Sequence, residues 1–505
     1  PLTCSQTCAG ILASMRLLFA ILVSSFATAA VANGLAFDER VIDAGFHVEQ
    51  PVLVANLAGD DRHIVLAGRD DEHGQHLAVY AIDEPAQPLL DLEPGSHLIA
   101  YDVGRIGERD SLYFVAPGRI VRYDLDAGEF ADFIGIRTIY GQPRSGRIVP
   151  IDFIRDINGD DRDDIVVPDT AGYRVRLQRA DGTLGDEVVL RGSSTMSVAE
   201  GRVSFESRPL VSGNMTDDDR VDLAVWRGDR LLVYAQQAGD RYEGEPATVP
   251  LSLGLLSEAE MQNRTQGFGA VNQEGLVDTR ILQIEDLNGD GLPDILTESL
   301  LNLGVFDKEN DFHLHLGRRD GEMINYFEAE DALLASSGLQ YGLVTTDLDG
   351  DGRQDLYVRK VRMSFGRVIR ALLAGNVPLQ LHFYRMTDED TYPDDANYVT
   401  KTNVSFSMSS GQVDIPAIKV ADFDGDGLED LLMQTDSEQL EFRRGVRSDE
   451  LFVDDAIDIS LALPRNGELV TVENLDDDDR ADLVLRYNES DGDGPSQTVR
   501  LLLSE

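Results

Sequence analysis

Four short runs of the chain place carboxylate or carboxamide side chains at alternate positions, a spacing suited to capturing a hard divalent cation. The runs are Asp156, Asn158, Asp160, Arg162, Asp164; Asp286, Asn288, Asp290, Leu292, Asp294; Asp347, Asp349, Asp351, Arg353, Asp355; and Asp422, Asp424, Asp426, Leu428, Asp430. In each run these are the first, third, fifth, seventh and ninth residues of one pattern. Glycine stands fourth in every copy and sixth in three of them, as in Gly289 and Gly291. Glycine reaches positive φ without steric cost, so the backbone can curl and bring the alternating oxygens to one point. The seventh residue would ligate through its carbonyl, which lets Arg162, Leu292, Arg353 and Leu428 share that role. The second, seventh and eighth residues vary freely.

Several carboxylates gathered this closely repel one another unless a cation joins them. An all-oxygen set of this charge selects Ca²⁺ over Zn²⁺, and Mg²⁺ prefers a smaller octahedral cage that keeps its waters. An EF-hand would need glutamate in the twelfth position, where Val167, Thr297, Val358 and Met433 stand. Two weaker copies carry Asn first: Asn214, Thr216, Asp218, Asp222 and Asn474, Asp476, Asp478, Asp482. Counting them, the chain is expected to hold about four to six Ca²⁺ ions. Two further copies, starting at Asn56 and Asp102, have lost ligands to Ala58, Gly104 and Ile106 and read as plain turns.

The elements that position these loops follow from their flanks. Apolar residues stand four and two places before many of the loops: Val52 and Val54, Leu98 and Ala100, Leu282 and Ile284, Ile418 and Val420, Val470 and Val472. That alternation predicts a strand entering the loop. A second strand begins at the ninth residue, as in Ile165-Val166-Val167, and a third alternating run follows, as in Leu231 to Tyr234 or Val499 to Leu501. Each repeat is therefore a small antiparallel sheet that cannot bury its faces alone. Stacking such sheets around an axis protects them, so the expected fold is all-β: a β-propeller of seven or eight four-stranded blades, eight being preferred. Residues 37–50 precede the first loop and could supply an outer strand that closes the ring. Residues 365–373 read as a short helix laid on the scaffold.

The D-x-[DN]-G-D-G-x-x-D-[IL] copies resemble the FG-GAP/VCBS repeat family, the blades of the integrin α-subunit propeller. The resemblance covers roughly residues 37–505. It implies calcium loops on one propeller face, between a blade's first and second strands, with ligands bound elsewhere, often on the opposite face.

Composition narrows the partners. The 505 residues include 91 acidic against 44 basic ones, a net charge of −47, which disfavours nucleic acid and anionic membranes. Met15-Arg16, the apolar Leu17 to Val23 and Ala30-Val31-Ala32 read as an export signal cleaved before Asn33, with residues 1–14 an upstream extension. That leaves one propeller domain over 33–505, without a membrane span, periplasmic or extracellular and monomeric. Cys4 and Cys8 would be removed, and no G-x-S-x-G, H-E-x-x-H or P-loop motif occurs. The pairs His73/His76 and His313/His315 suit a turn and a strand face, and Trp226 suits packing between blades. The expectation is a non-catalytic binding or adhesion module for a protein or glycan. The alternatives are a polysaccharide-active enzyme or carbohydrate-binding subunit, and a periplasmic assembly factor.

Overall fold

The computed structural model describes residues 35–59, 61–141, 147–192, 194–199, 202–218, 220–239, 241–256, 277–302, 308–335, 339–361, 374–407 and 411–505. The export signal, both cysteines and the helix expected over 365–373 lie outside them.

Eight antiparallel sheets follow one another along the chain, over residues 53–92, 100–135, 154–191, 210–250, 277–334, 339–414, 418–460 and 470–504. They are the blades of an eight-bladed β-propeller, here counted first to eighth. In every blade the first and second strands are joined by one of the nine-residue copies, so these loops share one face. The hairpins between second and third strands, and the links between blades, share the other. The ring closes as expected. Strand Phe37–Asp43 runs antiparallel to the final strand Thr498–Ser504, in register from Phe37 opposite Ser504 to Asp43 opposite Thr498, and completes the eighth blade. Short hairpins are added, Ser194–Ala199 with Arg202–Ser207 between the third and fourth blades and Arg318–Asp320 with Met323–Asn325 between the third and fourth strands of the fifth.

The core is a ring of eight apolar clusters, one at each junction between successive blades. At the closing junction Ile42, Val484 and Leu501 of the eighth blade meet Ile64, Leu66 and Ala78 of the first. A second strand is covered by a neighbour on each face, which is why Asp164–Asp169 is buried along its whole length and why such strands read as continuous apolar runs. Trp226 packs against the cluster between the fourth and fifth blades. Leu282 departs from the alternation expected of it. A bulge between Ile281 and Gln283 shifts the register, turning Ile281 inward and leaving Leu282 37% exposed.

Candidate metal centres

In the four full loops the backbone curls where the glycines allow it. Gly159, Gly289, Gly350 and Gly425 have φ of 73°, 76°, 69° and 76°. The sixth residue is also left-handed, at 84° in Gly291 and at 60° in Asp161, the one full loop without glycine there. The curl is fixed from within by the first aspartate, whose carboxylate caps the turn. Asp422 accepts from the amides of Gly425 (2.7 Å), Asp426 (3.1 Å) and Gly427 (2.7 Å), Asp347 does the same in its loop, and Asp156 and Asp286 accept from the fourth and sixth amides of theirs. The fifth carboxylate accepts from the amide of the seventh residue, as Asp290 does from Leu292 (2.8 Å).

The ninth aspartate is the best buried. Asp164, Asp222, Asp294, Asp430 and Asp482 have no exposed surface and Asp355 only 1%. One of its oxygens accepts from the amide of the loop's second residue and the other from an amide at or just past the end of the third strand. In the fifth blade these donors are Leu287 (2.9 Å) and Gly317 (2.8 Å), and in the eighth Leu475 (2.7 Å) and Ser504 (2.8 Å). Desolvation pushes the carboxyls of Asp164, Asp294, Asp355 and Asp430 up to about 7, their backbone donors oppose the rise, and loop neighbours such as Asp290 add to it. A bound cation reverses that balance in favour of the ionised form.

The third residue completes the arrangement. Asn158 Oδ1, Asp349 Oδ1 and Asp424 Oδ1 are buried and lack a hydrogen-bond partner among the described residues, the same atom at the same position in three loops. In the sixth blade Asp347, Asp349 and Asp355 bring one oxygen each within 4.8 Å of one another, and in the seventh Asp422, Asp424 and Asp426 do so. In the third and fifth blades Asn158 and Asn288 replace the middle carboxylate. The Asn158 amide donates to Asp160 (3.0 Å), turning its carbonyl oxygen into the loop. An orphaned buried acceptor costs about 1–3 kcal/mol. A cation in the curl would satisfy all three.

Arginines share the loop carboxylates. Arg385 contacts Asp349 (2.6 Å), Arg444 contacts Asp426 (3.1 Å), and Arg353 bridges Asp351 (2.5 Å) and Asp388 (2.8 Å). The two weaker loops differ: in the eighth blade Asp477 is left-handed (φ 61°) and its amide donates to Asn474 Oδ1 (2.8 Å), whereas Asp217 of the fourth-blade loop is not left-handed. In the fourth blade Arg319, from the added hairpin of the fifth, donates to Asn214 Oδ1, and Thr216 donates to Asp218 (3.1 Å). In the eighth, Arg62 of the first blade reaches Asp477 and the carbonyl of Asn474, and Asp478 accepts from Arg480 (2.8 Å). The first two copies are plain turns. Asp102 points away from its loop and accepts from Phe153 (2.7 Å) and Ile154 (2.8 Å) of the third blade.

Two regularities went unread in the sequence. The second loop residue is always apolar (Ile157, Met215, Leu287, Leu348, Phe423, Leu475), and each side chain is at most 4% exposed, plugged into a junction between blades. Three buried tyrosines donate to the carbonyl of the eighth residue: Tyr242 to Val221 (2.8 Å), Tyr326 to Pro293 (2.9 Å) and Tyr392 to Gln354 (2.8 Å). The former was visible in aligned copies; the latter had no signal, because the tyrosines stand at unequal distances from their loops. The histidine pairs have local roles. His76 lies between Asp70 and Asp91, 3.2 Å from each, and His315 is buried beside the carbonyl of Phe327.

Residues 286–358 match the family model of the FG-GAP-like repeat. No curated protein matches the chain. Among solved structures, similarity is found to an Agrocybe aegerita lectin whose structure addresses recognition of non-reducing terminal N-acetylglucosamine, at 14% identity and a TM-score of 0.40 over 92% of this chain and 98% of that one. The Dos1 propeller is similar at 10% identity and a TM-score of 0.39, over 92% and 93%. The V. cholerae biofilm matrix protein Bap1 is similar at 12% identity and a TM-score of 0.29, over 91% and 88%.

Proposed function

We propose that this eight-bladed propeller, with its FG-GAP-like repeat, is an exported, calcium-braced binding module that does no chemistry on its ligand. The observation that carries the reading is the recurrence, among the described residues, of one buried oxygen without a hydrogen-bond partner at Asn158, Asp349 and Asp424. The ion would be held by the first, third, fifth and ninth side chains of the four full loops, with the carbonyls of Arg162, Leu292, Arg353 and Leu428. Its contribution is positive charge at the centre of each curl.

The chain's own residues do the rest. The first aspartate shapes the loop, the ninth staples it to the end of the third strand, and the second anchors it in the junction. A loop built this way stiffens one face and leaves the opposite face, made of hairpins and inter-blade links, to meet a ligand. Equilibrium dialysis with ⁴⁵Ca²⁺ tests the reading together with melting curves in calcium and in chelator. Uptake of calcium by the full loops, with a melting temperature that falls on chelation and is restored by Ca²⁺ but not Mg²⁺, is expected. An unchanged melt with no calcium uptake overturns it.

A further inference from the structure

On the face away from the aspartate loops, a cleft of about 600 Å³ opens between the sixth, seventh and eighth blades. Its walls are the link at Asp414, Ile415 and Pro416, the turn at 435–438, the entry to the eighth blade at Ala462 to Arg465, and Tyr487. A space of that size takes a drug-sized ligand.

The wall is rigid where it is polar. Thr402 and Gln434 are 5% and 8% exposed; the Thr402 hydroxyl donates to the Gln434 carbonyl (2.8 Å), and Gln434 Oε1 accepts from the amide of Ala417 (2.9 Å). Asp491 is fixed by the amides of Arg465 (2.8 Å) and Asn488 (3.0 Å). The Tyr487 hydroxyl accepts from Arg500 (3.1 Å) and donates to the carbonyl of Ala462 (3.3 Å). Asp414 Oδ1 is buried without a hydrogen-bond partner among the described residues, its nearest charge being Arg465 at 3.6 Å.

These features exclude ligand classes in turn. An apolar ligand would leave the polar wall unpaired, at a cost for each buried group. An anion meets Asp414, Asp436, Glu438 and Asp491 against the single guanidinium of Arg465. For a metal ion, the carboxylates do not converge: among the described residues the acidic groups close enough to share an ion lie in the aspartate loops. An organic cation would pair the carboxylates but is repelled by Arg465, and it is the competing outcome of the test. The ligand that suits the carboxylates, Arg465 and Asn403 together is uncharged and rich in hydroxyls, able to donate to the carboxylates and accept from Arg465 and Asn403. We infer that the cleft binds a neutral oligosaccharide segment. The inference rests on the binding-module reading and names its ligand class.

The test is a glycan array probed with the calcium-loaded protein, covering neutral and uronate-bearing glycans, with spermidine titrated separately by calorimetry. The comparison variant combines Asn403→Ala with Asp436→Ala, both at exposed positions; calcium uptake and melting are measured on both proteins. Expected are retention of neutral glycans, none of uronate-bearing ones, and a loss of about tenfold or more in the variant with melting unchanged. No neutral glycan retained, preference for uronates or spermidine, or binding unaltered in the variant overturns the cleft assignment. Failure of calcium uptake overturns the metal reading instead, so the two failures are told apart.

Discussion

Gly289 lies so close to Gly352 that a Cβ on the former would stand 2.7 Å from the carbonyl oxygen of the latter. This contact is where the loop of the fifth blade meets that of the sixth, and it is accompanied by a hydrogen bond from the amide of Gln354 to the carbonyl of Leu287 (2.7 Å). The same lacing joins the seventh loop to the eighth, where Ala481 donates to Asp422 (2.7 Å). Neighbouring loops are thus parts of one rim.

Gly289→Ala is expected to cost more than the roughly 1–2 kcal/mol of a left-handed alanine, because the methyl group also meets backbone. Gly291→Ala, with φ of 84° and nothing within 4 Å of its Cβ, should lose only the conformational part. Urea unfolding of the two variants checks the difference.

Asp424→Ala removes one of the orphaned oxygens. It should lower stability in saturating calcium by about 2.7 kcal/mol, the linkage free energy at a hundredfold excess over Kd, and should change little in chelator. Unfolding with and without calcium separates this from a packing defect.

Asp482→Ala should behave differently. It leaves the amides of Leu475 and Ser504 without their acceptor, at about 1–3 kcal/mol each. The loss should persist in chelator, because those bonds need no ion. Hydrogen exchange at Ser504 is expected to rise with it.

Asp102, held by amides just ahead of the third-blade loop, supplies a pH dependence of its own. Desolvation pushes its carboxyl up to about 7, outweighing the amide donors of Ile154 and Phe153. A carboxyl raised on folding stabilises fully below its unfolded value of 3.8, and that contribution is lost as pH rises through about 7. Asp102→Asn should therefore flatten the fall in stability across that window, read from chemical denaturation at a series of pH values.

The sequence made the loops, the strand on each side and the closing segment legible because all three carry patterns short in range: alternating oxygens, alternating apolar residues, and a lone strand with no repeat of its own. It marked the loops at Asn56 and Asp102 as empty turns by their missing ligands, and the structure gives Asp102 a different duty. Other features depend on contacts between blades. The ninth aspartate is conspicuous in every full copy, yet nothing local says that it joins an amide of its own loop to one at the end of the third strand. The bulge that turns out Leu282, the tyrosine donors and the reach of Arg319 into Asn214 arise only once neighbouring sheets are stacked.

The pairing of Phe37–Asp43 with Thr498–Ser504 has a consequence in time. Phe37–Asp43 precedes the other described strands of the propeller and its partner follows them, so the eighth blade stays incomplete until the rest of the propeller has been synthesised. Until then the apolar face of the first blade around Ile64, Leu66 and Ala78 lacks its eighth-blade cover and is open to pairing with another molecule.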